Sequence, residues 1–158
     1  MAVVDLVNLK ASLARGGRLL GLDVGSKTIG LAISDSNLRV ASALTTIRRA
    51  KFAADAQAIA RIIAERSVGG LVIGLPIAMD GTEGPRCQSV RQFATNLLGT
   101  VDLPVAFWDE RFSTIGAERP LREAAMSHRR RAEVIDKLAA AYILQGALDR
   151  LANLGPAA

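Results

Sequence analysis

Three acidic side chains occupy places where a charged group is at odds with its surroundings. Asp23 interrupts the apolar run RLLGLDV, where strand alternation puts Leu20, Leu22 and Val24 on one face and Leu19, Gly21 and Asp23 on the other. A carboxylate in that setting requires a partner or an ion. Gly21 removes bulk beside it and Gly25 allows a tight turn, so the surface near Asp23 is expected to be open to a ligand. Glu110 follows the apolar stretch PVAFWD, at the C-terminal end of a strand, the edge of an α/β sheet at which ligands bind. Asp136 stands early in a helix rich in Ala, Ile and Leu, and Ala139 and Ala140 on its side permit close approach to a sheet.

Each has a plainer explanation when taken alone: a turn-capping Asp before a glycine hairpin, a surface ion pair, and a favourable charge at a helix N-terminus. Together they suggest a different chemistry. Hard divalent cations such as Mg²⁺ or Mn²⁺ take oxygen ligands, and two of them about 3.5–4 Å apart activate water and stabilise a leaving oxygen. Phosphodiester hydrolysis requires both effects, so Asp23, Glu110 and Asp136 are the candidate metal-binding and catalytic residues of a two-metal site.

Basic residues gather around these acids. Arg129, Arg130 and Arg131 form a basic loop, SHRRR, just ahead of the Asp136 helix, with Arg119, Arg122 and Lys137 nearby. With Lys27 and Arg111 they are candidates for holding phosphates, although a solvated basic face is the ordinary alternative. His128 is placed to move a proton, but a lone loop histidine is more often simply exposed. Gly74-Leu75-Pro76 leads into a loop, Met79–Gly84, whose glycines permit close backbone contact with a ligand.

The elements that must position these residues follow from periodicity. Arg18–Ser34 reads as two strands around a Gly-Ser-Lys turn, with 39–43 as a third strand of a meander. Helical spacing over 51–66 puts Phe52, Ala56, Ile59 and Ile63 on one face and the charges Lys51, Asp55, Arg61 and Glu65 elsewhere. Gly69-Gly70 are expected to end that helix, ahead of a strand at 71–76 buried on both sides. A helix at 86–98, a strand at 104–108, a helical segment near 114–126 that Pro120 should kink, and a helix from about 132 to 151 complete the order. That order implies an α/β fold with a mixed sheet flanked by helices. Trp108 and Tyr142 are expected to pack in the core or on the sheet.

The chain has 158 residues, the length of one ordinary domain. The expected division is an N-terminal extension at 1–17, whose Leu6, Leu9 and Leu13 suit a short docking helix, a domain at 18–152 and a tail at 153–158. Lys and Arg outnumber Asp and Glu by 20 to 15, a formal charge of +5, which modestly favours a polyanionic partner such as nucleic acid. Cys87 is the only cysteine, which excludes an internal disulfide and a cysteine-built zinc cluster and suits a reducing cytoplasm. The N-terminal stretch contains Asp5 and no basic leader, so neither a signal peptide nor a membrane span is expected.

The segments GLDVGSKTIGLAISD, VIGLPIAMDGTEG, FWDERFST and VIDKLAAAYILQGALD resemble, in this order, the motifs of the YqgF-type pre-16S rRNA nucleases, also described as Holliday-junction-resolvase-like. The resemblance spans about Arg18 to Leu151. It implies a ribonuclease H-like fold in which Asp23, Glu110 and Asp136 bind metal, Arg111 matches the arginine of a DER motif, and Arg129–Arg131 supply the basic residues that precede the last acid. It further implies 5′-end maturation of pre-16S rRNA on the ribosomal small-subunit precursor, with branched DNA as the other substrate; a monomer would suit single-site RNA trimming and a homodimer a two-strand junction cutter. Thr28 departs from the family's usual Arg or Lys after the turn, and Pro120 sits where helix is expected. Two other readings remain at this stage. A phosphotransferase of the actin and sugar-kinase type has a similar hairpin but needs two lobes; a non-catalytic nucleic-acid-binding factor could share every motif.

Overall fold

The first strands form because β-branched and leucine side chains alternate across a short turn. In the computed structural model, which describes residues 3–112 and 128–154, β1 (Arg18–Val24) and β2 (Thr28–Ser34) pair antiparallel, and β3 (Ala41–Arg48) extends the meander antiparallel to β2. The chain then crosses through α2 (Phe52–Arg66) to β4 (Val68–Leu75), and through α3 (Pro85–Leu98) to β5 (Val105–Asp109), both parallel to β1. The sheet order is β3-β2-β1-β4-β5. A short 3₁₀ turn, Glu110–Phe112, follows β5, and a long helix, here α4 (His128–Asn153), closes the described fold. The mixed five-stranded sheet flanked by helices is the architecture expected from the element order.

Burial follows the period-two alternation. Leu20, Leu22 and Val24 of β1 join Leu71, Ile73 and Leu75 of β4 in a core with Ile59 of α2 and Val90, Phe93 and Leu97 of α3. On the other face, Leu19, Val72, Ala106 and Trp108 meet Ala140, Ile143, Leu144, Ala147 and Leu148 of α4. Asp23, sharing a face with Leu19, therefore looks toward α4. The N-terminal extension packs on this side too. Its helix α1 (Leu6–Ser12) is capped by Asp5, buries Leu9 completely, and is preceded by a hydrogen bond from Val4 N to Val105 O of 2.8 Å.

Several local expectations are corrected. The third strand spans Ala41–Arg48 rather than 39–43, because the Asp35 carboxylate accepts from Arg39 and Val40 N–H and holds that stretch in a turn. Ser67, left-handed at φ 56°, ends α2; Gly69 and Gly70 already belong to β4, where a Cβ would meet Leu13 and Leu9 at 2.8 and 2.7 Å. These glycines admit the N-terminal segment rather than stopping a helix. Gly21 likewise opens room for α4, not for a ligand: a Cβ there would lie 2.8 Å from Leu144 Cβ. Asp55 is only 2% exposed, not on the charged side, and its Oδ1 accepts from Ala50 N–H. Tyr142 is exposed rather than packed.

The last helix begins at His128, so Arg129, Arg130 and Arg131 lie in its first turns and not in a loop. Asp136 accordingly stands in its third turn, where attraction to a helix N-terminus no longer accounts for it. The segment near 114–126, with Arg119, Pro120 and Arg122, lies outside the described residues. Among the described residues no helix is long and apolar enough to cross a membrane.

Candidate active site

Asp23 is flanked in the sheet by two residues without side chains. It pairs with Gly30 across the β1–β2 ladder, and on the other side Gly74 follows the Leu22–Ile73 pairing by one residue. A Cβ on Gly30 would lie 2.0 Å from the Asp136 carbonyl oxygen, so only a bare backbone lets α4 settle on β2 at this level. A Cβ on Gly74 would meet Glu110 Cγ and Cδ at 3.2 Å, and Ile143 Cδ1 at 2.5 Å. Gly30 thus seats Asp136 on one side of Asp23, and Gly74 seats Glu110 on the other. The three carboxylates, far apart in the chain, gather on one face at the C-terminal end of β1.

Their charges register the proximity. Burial pushes the Asp23 carboxyl up to about 6, the Asp136 charge adds to this, and Arg86 opposes it. Burial likewise pushes Glu110 up to about 7, reinforced by Asp23 and Asp109 and again opposed by Arg86. Asp136 is oriented by Thr28, whose hydroxyl donates to Asp136 Oδ2 at 2.5 Å. The residue that departs from the family's usual Arg or Lys thus holds one of the acids in place.

The donor set suits a hard divalent cation: carboxylate oxygens, crowded enough to repel, with one arginine offsetting them. Among the described residues no three acidic, histidine or cysteine side chains form a ready-made ion cage. Mg²⁺ is usually held by one or two carboxylates together with water and substrate phosphate, so pairwise sharing through the central Asp23 is the arrangement this geometry fits. Asp23 with Asp136, and Asp23 with Glu110, would be the two pairs.

The candidate basic residues fare differently. Lys27 is exposed in the β1–β2 turn. Arg111 is committed to Asp109, donating from Nε at 3.0 Å and Nη2 at 2.6 Å, while Nη1 lies 3.5 Å from Met79 O. It ties the loop after β4 to the end of β5, which leaves less of it for a phosphate. Lys137 lines a small cavity of about 290 Å³ with Thr45, Thr46 and Glu133. Arg86 was missed by sequence reasoning, since a single arginine after Gly-Pro at the start of an expected helix carries no pattern. It stands in the first turn of α3, which begins at Pro85, and lines a cavity with Val24, Gly25 and Ser26 at the end of β1.

The two upward shifts give a stability prediction. The folded chain holds these protons more tightly than the unfolded chain, so their contribution is complete below the ordinary values of 3.8 and 4.5. It is lost as pH rises through about 6 for Asp23 and about 7 for Glu110. Without divalent cations, the wild-type melting temperature should therefore fall relative to that of Asp23→Asn between about pH 4 and about pH 7, and added Mg²⁺ should reverse the fall at the upper end. A difference between the two proteins that does not change with pH would contradict the crowding.

Comparison with known proteins gives the family. The model of a family described as RuvX, Holliday junction resolvase, matches residues 17–150. The chain belongs to this RuvX family. Relatives from Rhodospirillum centenum and Paramagnetospirillum magneticum, each bearing the name "Putative pre-16S rRNA nuclease", are 60% and 58% identical. The matches cover 96% of this chain and 83% of the first relative, and 94% of this chain and 96% of the second. Among solved structures, Thermus thermophilus RuvC in complex with a Holliday junction substrate aligns with a TM-score of 0.53 at 13% identity, over 88% of this chain and 96% of that one. The yeast mitochondrial Holliday junction resolvase aligns at 0.52 and 10% identity, over 92% and 83%. These likenesses establish the resolvase-like, ribonuclease H-like fold of this RuvX member.

Proposed function

We propose that this chain is a metal-dependent nuclease that hydrolyses phosphodiester bonds, and that its substrate is the 5′ end of the 16S rRNA precursor. The observation that carries the reading is the seating of Glu110 and Asp136 on either side of Asp23 by Gly74 and Gly30. Membership of a resolvase family and the name carried by the close relatives support it. Mg²⁺ or Mn²⁺, when bound, supplies the positive charge that activates water and stabilises the leaving oxygen. The chain's own part is to hold three carboxylates close, with Asp23 shared between two pairs and Thr28 fixing Asp136. Arg86 offsets part of their repulsion and is a candidate for a phosphate contact. Lys27 and the Arg129–Arg131 turn are the further candidates for contacts to the strand. The ribosomal small-subunit precursor is the partner in this reading and the cytoplasm its location; a monomer suffices for trimming one strand.

A second reading, cleavage of branched DNA by a homodimer, is favoured by the family description. The two are separated by offering purified protein, with Mg²⁺ or Mn²⁺, a precursor RNA bearing the 16S 5′ leader and a four-way DNA junction. Trimming of the RNA to its mature end, at least about tenfold faster than junction cleavage, is expected. Preference for the junction would move the chain to the second reading, and inertness toward both would end the nuclease proposal.

A further inference from the structure

A basin of about 480 Å³ lies beside the carboxylates, on the side of the sheet covered by α2 and α3, lined by Val24, Gly25, Ser26, Arg49, Arg86 and Ser89 among others. Its volume falls in the range of small-molecule sites and exceeds what a phosphate alone requires, leaving room for an attached sugar. Gly25 is two residues beyond Asp23, so the basin borders the reaction centre.

Arg49 is held in place from several sides. Its Nη1 donates to Gly25 O at 2.9 Å, its Nε lies 3.8 Å from Asp55 Oδ2, and its guanidinium carbon stands 5.3 Å from the centre of the Phe93 ring. Asp55 Oδ2 is buried and makes no hydrogen bond, so this carboxylate serves Arg49 through charge. Arg86 makes no hydrogen bond or ion pair among the described residues, is exposed, and has its charge felt by both Asp23 and Glu110. Arg49 is balanced by Asp55, whereas Arg86, although its charge reaches Asp23 and Glu110, is the guanidinium left without a hydrogen bond or ion pair among the described residues and so offers its donors to an anion. The hydroxyls of Ser26 and Ser89 add neutral donors, the combination that binds phosphate oxygens.

We propose that this basin is a phosphate subsite that takes a phosphodiester of the bound strand adjacent to the one being cut, with Arg49 and Arg86 as its ligating residues. The position next to the scissile group rests on the nuclease reading; the binding of a strand phosphate does not. The bound strand would cross the C-terminal edge of the sheet, with Asp136 approaching from α4 on one side and the two arginines from the other.

The test is fluorescence anisotropy of a short single-stranded RNA bound to the full chain without divalent cations, over a series of salt concentrations. Arg49→Gln and Arg86→Gln should each weaken binding about tenfold and lower the slope of log affinity on log salt by about 0.7, the value for one lost phosphate contact on a single strand. Ser89→Asp, at an exposed position, should weaken binding at least as much by repulsion. Wild-type affinity and slope in Ser89→Asp and Arg86→Gln would overturn the subsite. So would arginine-dependent binding of adenosine 5′-monophosphate with an unchanged RNA slope, which would make the basin a site for free nucleotide. Arginine-dependent RNA binding by a wild-type protein that cuts nothing would support the subsite while the nuclease reading fell.

Discussion

Asp23→Asn protein is expected to cleave at least about 10³-fold more slowly than wild type at saturating Mg²⁺ or Mn²⁺ while keeping its fold. The substitution preserves shape and removes the charge shared by both carboxylate pairs. Bound cations contribute several kcal/mol of charge stabilisation in the transition state, and each 1.36 kcal/mol is about a factor of ten in rate. Glu110→Gln or Asp136→Asn breaks one pair only, so neither should exceed the loss at Asp23. Steady-state cleavage of the preferred substrate, with the melting temperature as a check on folding, measures the difference. Undiminished cleavage by Asp23→Asn would remove that residue from the mechanism.

The second large effect is expected at a residue with no functional group. Gly30→Ala places a Cβ 2.0 Å from the Asp136 carbonyl oxygen, a separation that no real Cβ adopts, and the obstructing atom is backbone that cannot rotate away. The helix must lift by about 1 Å, a misplacement of the kind that costs about 10²-fold in rate. Overpacking adds a stability loss of about 1–3 kcal/mol. Gly84→Ala is the control, since nothing lies within 4 Å of a Cβ there. Cleavage and thermal unfolding of both variants give the comparison. A Gly30→Ala protein as active as Gly84→Ala would show that Asp136 does not depend on this seat.

What could be read in the sequence was what depends on short-range periodicity. The face of Asp23 follows from alternation in β1, and the position of Glu110 follows from the apolar run that ends in β5. The order of elements was legible for the same reason. Convergence of the three acids was legible only as a topological possibility, because it depends on Gly30 and Gly74 contacting residues far along the chain. Asp55 looked like a surface charge since helical spacing cannot show that Arg49 and the Ala50 amide would cover it. The start of α4 was misplaced because a run of arginines resembles a loop, yet arginine is a good helix former. Arg86 belongs to no pattern, and its importance comes from where α3 begins.

Diffraction from crystals soaked in Mn²⁺, recorded at a wavelength where manganese scatters anomalously, gives the most direct answer to whether these acids hold cations. The account predicts anomalous density within about 2.0–2.2 Å of an Asp23 carboxylate oxygen and of an oxygen from Glu110 or Asp136, a typical metal-to-carboxylate distance, and none in Asp23→Asn crystals treated alike. Manganese bound only elsewhere on a protein that cleaves would contradict it.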